Sequence, residues 1–505
     1  MAGQAVIGVD VGTSSTKGVL VALDGTVLAR AVRHHEVRRP LPGHVEMDAT
    51  IWWDEFASIA RELTATGTPV SAVGVSGMGP CVVIADADGV PLRPAILYGV
   101  DTRATEQIAR LEADLGADAI MDRGHARLSS QAVGPKLAWL AEHEPDRYAR
   151  ARRLFMPSSW LVWQLTGAYV LDHHAASQCW PLYDIEAGAW YTPWVERICP
   201  DLDLPPLGWP GDMAGTVSPA AAGETGLPVG IPVITGTIDA WSEAVSVGAC
   251  GVGDLMLMYG STMFLIATVD RPVRSETLWG TVGAFPGTRC LAAGMATSGA
   301  ITDWLRDLVG DTDHHDLLDA AAATGPGAGG LLMLPYFAGE RTPIQDPDAR
   351  GVIVGLTLSH GAGHLYRAAL EATAYGVRHN LEAMADAGAV VERVVAVGGG
   401  AQGDLWTQIV SDVTGLPQVI PSQTIGASLG AAFLAARTLA DADIRIDDWN
   451  PPLEIRRPDP DRRAAYDTGY ARYRELYPAT RDLAHALADA QRQAATEPSA
   501  AAVPA

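Results

Sequence analysis

The sequence predicts an α/β protein built from two related domains, and three observations carry this prediction. A chain of 505 residues is longer than one compact core usually supports. Short apolar runs typical of strands alternate with amphipathic stretches typical of helices. A strand, a small polar turn and a second strand open the chain, and the same arrangement returns about half a chain later. Such a repeat indicates two domains of similar construction that face each other.

The first half begins with strand-like residues 6–9, a polar turn and strand-like residues 18–21. Asp24 and Gly25 then form a tight turn into a third strand at 26–29. Residues 48–65 have apolar side chains at helical spacing behind Asp48, which is predicted to cap the helix. The remaining elements predicted for this half are strands at 70–75 and 82–85 and helices at 103–120 and 135–144.

The second half repeats the hairpin, with strands at 254–259 and 263–267 around a turn at 260–262. The glycine-rich residues 245–253 before it suit a hinge or a tight helix exit. The other predicted elements are a strand at 394–397, a helix at 404–414, a strand at 418–420 and helices at 425–436 and 460–490. We expect an N-terminal domain over 1–248, a C-terminal domain over 249–445, a helical extension over 446–493 and a disordered tail over 494–505.

Composition limits the classes of function. The formal charge is -23 at pH 7, whereas a nucleic-acid or anionic-membrane surface needs clustered Lys and Arg, so we expect neither partner. The five cysteines are scattered and form no CxxC pair, which argues against a disulfide framework and a zinc site. The N-terminus shows no secretory pattern, and no apolar run is long enough to span a bilayer. We therefore expect the protein in the cytoplasm.

The turn of the first hairpin is the first candidate phosphate site. Gly12 would let the backbone approach a ligand, and the hydroxyls and amides that follow are donors suited to phosphate oxygens. Asp10 ends the strand, where its carboxylate would hold Mg²⁺ directly or through water. An ordinary polar hairpin in which Asp10 caps the turn explains the same residues, and both interpretations stay open at this point. The candidates are Asp10 for the metal and Gly12, Thr13, Ser14, Ser15 and Lys17 for ATP.

Two segments of the second half strengthen the phosphate interpretation. The turn at 260–262 repeats the first one, and two such turns facing each other would hold the phosphates of ATP from both sides. Residues 398–400 are glycines before a predicted helix and would offer a flat surface to the adenine ring. A plain strand-to-helix turn is the alternative, although it needs only one glycine. The further ATP candidates are Gly260, Ser261, Thr262, Gly399, Gly400, Ala401 and Asp404.

These residues resemble the FGGY carbohydrate kinases, which belong to the superfamily of sugar kinases, hexokinase and actin. The resemblance extends from Val6 to about Ala436. Its most specific part is the family's second signature, which residues 351–356, a seven-residue gap and residues 364–371 satisfy at every restricted position. The first signature matches in part, because residues 136–140 fit while Gln131 and Val133 depart from the usual types.

The resemblance implies two ribonuclease H-like α/β domains of the actin and hexokinase superfamily, with an interdomain cleft. ATP would lie mainly on the C-terminal domain and a sugar mainly on the N-terminal one. The resemblance also implies that residues 235–240 carry the catalytic carboxylate, Asp239. A sugar hydroxyl is a poor nucleophile, so a carboxylate that accepts its proton suits the reaction. Asp239 as N-cap of a helix starting at Ala240 is the structural alternative, and both roles can hold together.

The sugar pocket departs from the xylulokinase pattern. Gly79 and Pro80 stand after Met78 where those relatives carry a Met-His pair, and residues 98–101 replace their Trp-Asn-Asp stretch. Because a site that hydrogen-bonds hydroxyls is selective, these changes imply a changed ligand. The candidate substrate-binding residues are Met78, Gly79, Pro80, Tyr98, Asp101, Arg103, Thr237 and Asp239.

Several alternatives stay open from the sequence. Arg103 as the start of a helix and Tyr98 as a core residue compete with their roles in a sugar pocket. The expected substrate is a ketopentose such as xylulose or ribulose, while other sugars, linear polyols and a homodimeric assembly stay open. Two rivals share the fold: an actin-like or chaperone-type ATPase, which leaves the second signature unexplained, and a silent sugar sensor, against which the intact Asp239 counts.

Overall fold

The computed structural model describes residues 4–310, 313–439 and 444–496. Its strands in chain order are β1 (Ala5–Val11), β2 (Ser15–Ala22), β3 (Val27–His34), β4 (Glu46–Met47), β5 (Val70–Gly77), β6 (Val83–Ala85), β7 (Ala95–Ile96), β8 (Arg153–Phe155), β9 (Leu171–Asp172), β10 (Tyr183–Asp184), β11 (Ala189–Trp190), β12 (Leu207–Gly208), β13 (Met213–Thr216), β14 (Pro232–Ile234), β15 (Thr237–Ile238), β16 (Asp254–Tyr259), β17 (Met263–Val269), β18 (Trp279–Val282), β19 (Arg289–Met295), β20 (Leu332–Leu334), β21 (Val352–Val354), β22 (Arg393–Val397), β23 (Gln418–Pro421) and β24 (Pro452–Arg456).

Its α-helices are α1 (Ala49–Thr64), α2 (Thr105–Leu115), α3 (Ala117–Gly124), α4 (Val133–His143), α5 (Pro145–Tyr148), α6 (Pro157–Thr166), α7 (His173–Ser177), α8 (Thr192–Ile198), α9 (Pro219–Thr225), α10 (Asp239–Ser246), α11 (Gly299–Leu308), α12 (His314–Thr324), α13 (Ala362–Asp386), α14 (Asp404–Thr414), α15 (Ala427–Ala436), α16 (Ile446–Trp449) and α17 (Arg463–Thr496). Short 3-10 helices cover Ala328–Gly330, Gly399–Gln402 and Pro460–Arg462.

The chain divides into two compact units. Unit 1 comprises Met1–Asp254, Ala267–Leu291 and Pro421–Pro452, and unit 2 comprises Leu255–Ile266, Ala292–Ile420 and Leu453–Ala505. Strands and helices occur together in both units, which confirms the predicted α/β class. The sequence predicted a disordered tail at 494–505, and residues 497–505 of it lie outside the described residues.

Unit 1 is built on a seven-stranded sheet of order β13-β14-β5-β1-β2-β3, in which β15 also pairs with β5. Strand β1 runs antiparallel to β2 and parallel to β5, and β15 is parallel to β5 as well. Val11 at the end of β1 and Ile238 at the end of β15 both stand opposite Gly77 of β5. Because carboxyl ends of parallel strands share one edge of a sheet, the side chains that follow these strands meet there. We call this the carboxyl edge of the first sheet.

Helix α15 lies unusually close to this sheet. A Cβ added at Gly8 in β1, or at Gly74 in β5, would stand 2.0 Å from a carbonyl oxygen of α15. Gly430 of α15 meets α10 in the same way, because an added Cβ would stand 1.8 Å from the Ser242 carbonyl oxygen. Real Cβ atoms do not approach other atoms so closely, so the packing of α15 requires glycine at these three positions.

Helix α1 covers the first sheet as the sequence predicts. Its N-cap is Asp48, whose side chain accepts a hydrogen bond from the Thr50 N–H. Its apolar face buries Trp52, Phe56 and Leu63 in the core cluster shared with β1 and β5. Sequence periodicity therefore identified both the start of the helix and the face that it buries.

One predicted helix is wrong in extent. The sequence predicted a single helix over 103–120, whereas the structure has α2 and α3 on either side of Gly116. The φ angle of Gly116 is +85°, which a right-handed helix does not accommodate. The apolar pattern continues across the break, so periodicity alone did not reveal it.

Unit 2 contains most of the repeated hairpin, namely residues 255–259 of β16 and 263–266 of β17. These strands belong to a sheet of order β18-β19-β17-β16-β22-β23-β24. The order places β22, which precedes the glycines at 398–400, directly beside β16, which precedes the turn at 260–262. The two glycine-containing loops of unit 2 are therefore neighbours.

The residues of the second signature have a structural role in unit 2. Arg367 and Glu371 of α13 form a buried ion pair, with Nε and Oε1 2.8 Å apart. Arg367 also donates to the hydroxyl of Tyr466 on α17, and Glu371 accepts a hydrogen bond from the Gly327 N–H. The signature thus joins α13 to α17 and to the loop before β20. No helix within the described residues combines the length and apolar character needed to cross a membrane.

Candidate active site

Asp10, the predicted metal ligand, lies at the carboxyl edge of the first sheet. Its side chain is buried, and its Oδ1 accepts a hydrogen bond of 2.8 Å from the hydroxyl of Ser76, its register partner on β5. Lys17 is its register partner on β2. Burial raises the pKa of Asp10 to about 6, while the hydrogen bond from Ser76 and the charge of Lys17 lower it. Sheet pairing therefore fixes the position and the surroundings of this carboxyl group.

The turn after Asp10 exposes only part of the predicted phosphate site. Ser14 is exposed and Thr13 is half-buried, whereas Ser15 is buried. The Gly12 N–H donates to the Ser15 carbonyl across 3.0 Å and closes the turn. The Thr13 hydroxyl lies 2.8 Å from the hydroxyl of Tyr98. The structure thus brings one candidate for phosphate binding together with one candidate for sugar binding.

Asp239 begins α10 immediately after β15, so it lies at the same carboxyl edge as Asp10. Its side chain is half-buried, and its Oδ1 accepts a hydrogen bond of 2.8 Å from the Ala240 N–H. The N-cap of α10 is Ile238, so Asp239 occupies the first turn of the helix. The structural alternative of an N-cap at Asp239 therefore does not describe this helix.

Three carboxyl groups interact at this edge. Burial raises the pKa of Asp239 to about 7, and the charges of Asp10 and Glu243 act in the same direction. Burial also raises the pKa of Glu243 to about 7, followed by the charge of Asp10, while Lys17 and the Ala427 backbone lower it. Glu243 is one helical turn beyond Asp239, on the same face of α10. A carboxyl group with a pKa near 7 is well matched to accepting protons at neutral pH.

Thr237, a predicted substrate ligand, is fully buried and contacts a further carboxyl group. Its hydroxyl donates to Asp172 Oδ1 across 2.8 Å, and Asp172 also accepts from the Ala175 N–H as N-cap of α7. Within the described residues, Asp172 Oδ2 has no hydrogen-bond partner. Burial raises the pKa of Asp172 to about 7. The Thr237 hydroxyl thus anchors β15 to α7.

The segment at 78–80 lies against the end of β15. The Met78 N–H donates to the Val11 carbonyl across 2.7 Å, which continues the pairing of β5 with β1. Met78 and Pro80 are buried, and Gly79 is half-buried with a cis peptide bond to Pro80. A Cβ at Gly79 would stand 2.7 Å from the Ile238 side chain, directly before Asp239. Of these three sugar candidates, Gly79 is the one with partly exposed backbone near Asp239.

Lys136 holds the segment that carries Tyr98. Its buried ammonium donates to the carbonyls of Leu97 and Tyr98 across 2.7 and 3.1 Å. Burial lowers the pKa of Lys136 to about 8. Tyr98 itself is half-buried, with its hydroxyl at Thr13 as described. The only part of the first signature that fits the family pattern therefore supports the loop of a candidate sugar ligand.

The charged groups of Asp101 and Arg103 pair with each other inside the protein. Their side chains are fully buried and form an ion pair, with Arg103 Nη2 2.7 Å from Asp101 Oδ2. Asp101 also accepts from the Val45 N–H, and Arg103 pairs with Glu46. The buried ion pair gives both residues a structural role, although α2 begins at Thr105 and not at Arg103 as the structural alternative had it.

The glycines at 398–400 of unit 2 have different surroundings. Gly398 has a φ angle of +89°, and an added Cβ would stand 2.5 Å from the Tyr259 carbonyl oxygen at the end of β16. A Cβ at Gly400 would stand 2.7 Å from the ring of Trp406. Gly399 is exposed, and a Cβ there would meet no described atom within 4 Å. Packing explains the first two glycines, whereas Gly399 leaves an open surface.

The turn at 260–262 presents hydroxyls to solvent. The Gly260 carbonyl accepts hydrogen bonds from the Gly299 N–H and the Ser298 hydroxyl, across 3.0 and 3.1 Å. The Ser298 N–H donates to the Ser261 carbonyl across 2.9 Å. These bonds turn the carbonyls toward the start of α11, while Ser261 and Thr262 are exposed.

The other two ATP candidates of unit 2 differ from each other. Ala401 is buried. Asp404 is exposed at the start of α14 and pairs with Arg456, with Oδ1 and Nη2 2.7 Å apart. The structure thus places both beside the glycine loop, one in the core and one on the surface.

Sequence reasoning missed several groups that surround the candidate site. Glu243 could have been predicted from the sequence, because it follows Asp239 by four residues and both therefore lie on one face of α10. Ser76 gave no signal, since it is one serine in an apolar strand and its role depends on pairing with β1. His35 and Glu55 were missed for the same reason, because their contacts join residues far apart in the sequence.

Two family models match the chain. The N-terminal domain of the FGGY family of carbohydrate kinases matches residues 5–246, and the C-terminal domain of that family matches residues 255–439. The fold and these matches define an enzyme that phosphorylates a sugar or polyol. The chain belongs to the FGGY family of carbohydrate kinases, which confirms the resemblance found in the sequence.

Individual relatives bear two names. Xylulose kinase of Escherichia coli is 29% identical over 488 residues, which are 93% of this chain and 98% of that relative. Glycerol kinase of Alkalilimnicola ehrlichii is 33% identical over 463 residues, which are 86% of this chain and 90% of that relative. The crystal structure of xylulose kinase from Rhodospirillum rubrum superposes with a TM-score of 0.89 at 32% identity, covering 95% of this chain and 100% of that chain. The predicted superfamily fold is thereby confirmed.

Proposed function

We propose that this protein transfers the γ-phosphoryl group of Mg-ATP to a hydroxyl of a ketopentose, and that Asp239 is the general base. One observation carries the proposal. The Asp239 carboxyl group lies at the carboxyl edge shared with Asp10, and burial raises its pKa to about 7. Similarity to relatives named xylulose kinase over nearly the whole chain supports the choice of acceptor.

Asp239 holds the acceptor hydroxyl and takes its proton while the new oxygen–phosphorus bond forms. The bond between the γ-phosphorus and the oxygen retained by ADP breaks, and the proton stays on the Asp239 carboxyl group. A base positioned in this way typically contributes about 10²- to 10⁴-fold to the rate. The Ala240 N–H, which donates to Asp239 Oδ1, orients the carboxylate for this step.

Asp10 fits the role of a Mg²⁺ ligand. Ser76 orients its carboxylate, which is a hard oxygen donor at the end of a strand. Among the described residues, no group of three or more His, Cys, Asp or Glu is arranged to hold a metal ion. One carboxylate together with substrate phosphates is a usual arrangement for Mg²⁺, so Asp10 suffices as the protein's part. The ion supplies neutralisation of charge on the transferred phosphoryl group.

The nucleotide is held mainly by unit 2. The exposed hydroxyls of Ser261 and Thr262 bind phosphate oxygens, and the open surface at Gly399 receives the adenine ring. In unit 1, the exposed Ser14 and Lys17 supply a hydroxyl and an ammonium group beside Asp10. These groups are donors, as phosphate recognition requires.

Tyr98 and the Gly79 backbone are the groups we assign to the sugar. Tyr98 is half-buried, and its hydroxyl is hydrogen-bonded to Thr13. This contact links the segment that carries Tyr98 to the turn after Asp10. A linear polyol such as glycerol is the second candidate acceptor, because two relatives named glycerol kinase are each 33% identical to this chain.

The test is an ADP-release assay with Mg-ATP across xylulose, ribulose, aldopentoses, aldohexoses and glycerol. We expect a ketopentose to give the highest kcat/KM and Asp239→Asn to lower kcat at least 10²-fold. Asp88→Asn, a change at an exposed loop carboxylate, is the matched control and should keep the full rate. Turnover with glycerol alone would favour the second candidate. Full sugar-dependent turnover in Asp239→Asn would show that another group is the base.

A further inference from the structure

We propose that His35 is a positioning residue for the phosphate turn after Asp10, and that it acts as an imidazolium ion. The inference rests on the proposed function, because it assumes that this turn binds the phosphates of ATP. His35 lies just beyond β3, and its side chain is 4% exposed. It is separate from the carboxyl groups at the edge of the sheet and was not identified from the sequence.

Both ring nitrogens of His35 face atoms that accept hydrogen bonds. Nε2 lies 3.0 Å from the Gly12 carbonyl oxygen, and Nδ1 lies 2.9 Å from Glu55 Oε2. A neutral imidazole carries one N–H and one lone pair, so it would leave one of these contacts between two acceptors. A ring protonated on both nitrogens donates in both contacts. The geometry therefore points to the charged form.

Thr16 supports this assignment from the other side of Glu55. Its buried hydroxyl donates to the same oxygen, Glu55 Oε2, across 2.5 Å. Because Glu55 Oε2 accepts from Thr16, it is also the acceptor in its contact with His35 Nδ1. The two side chains form an almost buried pair that connects α1 to the turn.

The contacts also set the direction of the backbone in the turn. The His35 N–H donates to the Ser14 carbonyl across 3.1 Å, while the ring holds the Gly12 carbonyl. Both of these peptide bonds are trans, and in a trans peptide the C=O and the following N–H point in opposite directions. The amides of Thr13 and Ser15 therefore point away from His35. A turn binds anions when its amides face the ligand and its carbonyls do not.

The main test is a titration of the full-length protein with Mg-ATP by calorimetry. We expect His35→Leu/Glu55→Gln, which removes the ring without leaving a buried charge, to raise Kd about tenfold. His34→Leu is the matched control, because His34 is the exposed neighbour of His35, and it should stay within twofold of wild type. A Kd of the double variant within twofold of this control would overturn the proposal.

Glu55→Gln provides a second variant that keeps the ring. In this variant a neutral His35 still donates to Gly12 and the glutamine amide donates to Nδ1, so only the charge of the pair is lost. We therefore expect Kd to rise about threefold, which is less than in the double variant. This single variant decides the question if circular dichroism shows that the double variant does not fold. An unchanged Kd in Glu55→Gln would then overturn the role of the charged pair.

Nitrogen-15 NMR of the histidine rings shows which ring nitrogens carry protons, and so tests the charged form separately from the effect on Kd. We expect the ring signals that disappear in the double variant to come from a histidine with protons on both nitrogens. If those signals instead come from a neutral ring, the proposal is overturned. Wild-type protein that binds Mg-ATP but phosphorylates no sugar would refute the proposed function, while the Kd comparison still decides the role of His35. Wild-type protein that does not bind Mg-ATP would overturn both.

Discussion

The carboxyl edge of unit 1 and the glycine loops of unit 2 use glycine in opposite ways. At Gly8, Gly74 and Gly430, an added Cβ would stand 1.8 to 2.0 Å from a backbone oxygen. At Gly399 it would meet no described atom within 4 Å. Gly8 and Gly74 serve close packing of helix on sheet and Gly430 close packing of helix on helix, whereas Gly399 serves no packing that the structure describes. Glycine content alone therefore does not distinguish a packing glycine from an open one, whereas the space around each glycine does.

The polar groups of the two regions also differ, because those of unit 1 are buried and those of unit 2 are exposed. Unit 1 gathers Asp10, Asp239 and Glu243, whose pKa values are raised first by burial. Burying ionisable groups of like charge costs stability, and such sites are often functional. The loops of unit 2 present exposed hydroxyls at Ser261 and Thr262. The proposed proton transfer concerns the buried carboxyl groups of unit 1, and the proposed nucleotide binding concerns mainly the exposed hydroxyls of unit 2.

The largest effect should come from filling a packing glycine. Gly430→Ala places a methyl group on the Ser242 carbonyl oxygen, so either α15 or α10 must move. We expect the free energy of unfolding to fall by about 3 kcal/mol or more, measured by urea denaturation. The control is Gly223→Ala in α9, where an added Cβ meets nothing and the helix should gain slightly. Equal stability of the two variants would show that α15 adjusts freely.

The next effect concerns the acid–base chemistry assigned to unit 1. A general base must be deprotonated, so activity should be lost as pH falls through the pKa of Asp239, about 7. We expect kcat/KM to fall roughly tenfold for each pH unit below this value, or about 100-fold at pH 5. Because three carboxyl groups interact, the acidic limb belongs to the group as a whole. A flat profile from pH 5 to 8 would contradict this assignment.

Local sequence pattern predicted many of the helices and strands in the two regions. The contacts between residues far apart in the sequence could not be predicted in this way. The helix predicted at 404–414 and the strand at 254–259 occur with those bounds, because their signals lie within a few residues. The packing of α15 on β1 and β5 could not be predicted in this way, since it joins opposite ends of the chain. The contact of Ser76 with Asp10 and the His35–Glu55 pair depend on strand register and helix placement in the same sense. The roles of the site residues stay predictions.

A smaller effect concerns Asp172, which lies behind the strand leading to Asp239. Burial raises its folded-state pKa to about 7, so the folded protein binds this proton more tightly than the unfolded chain does. The resulting stabilisation is fully present only below the unfolded-state pKa of about 4, and it is lost progressively as pH rises from there through about 7. Asparagine imitates the protonated form, so Asp172→Asn should become more stable than wild type by about 2 kcal/mol near pH 8.5, relative to their difference at pH 5. Asp88→Asn is the exposed control, and a difference between Asp172→Asn and wild type that does not change with pH would contradict this account.

The smallest expected effect tests the open glycine of unit 2. Gly399→Val adds a side chain to a surface where the described structure offers it no contact, so the free energy of unfolding should change by less than about 0.5 kcal/mol. The same side chain would occupy the space assigned to the adenine ring, and we expect KM for ATP to rise about tenfold with KM for the sugar unchanged. Gly223→Val is the control for a valine at an equally open glycine in unit 1. A loss of stability with unchanged KM would place Gly399 among the packing glycines and remove the contrast between the two regions. A selective rise in KM for ATP would show that an open glycine, rather than a glycine-rich segment as such, marks the nucleotide surface.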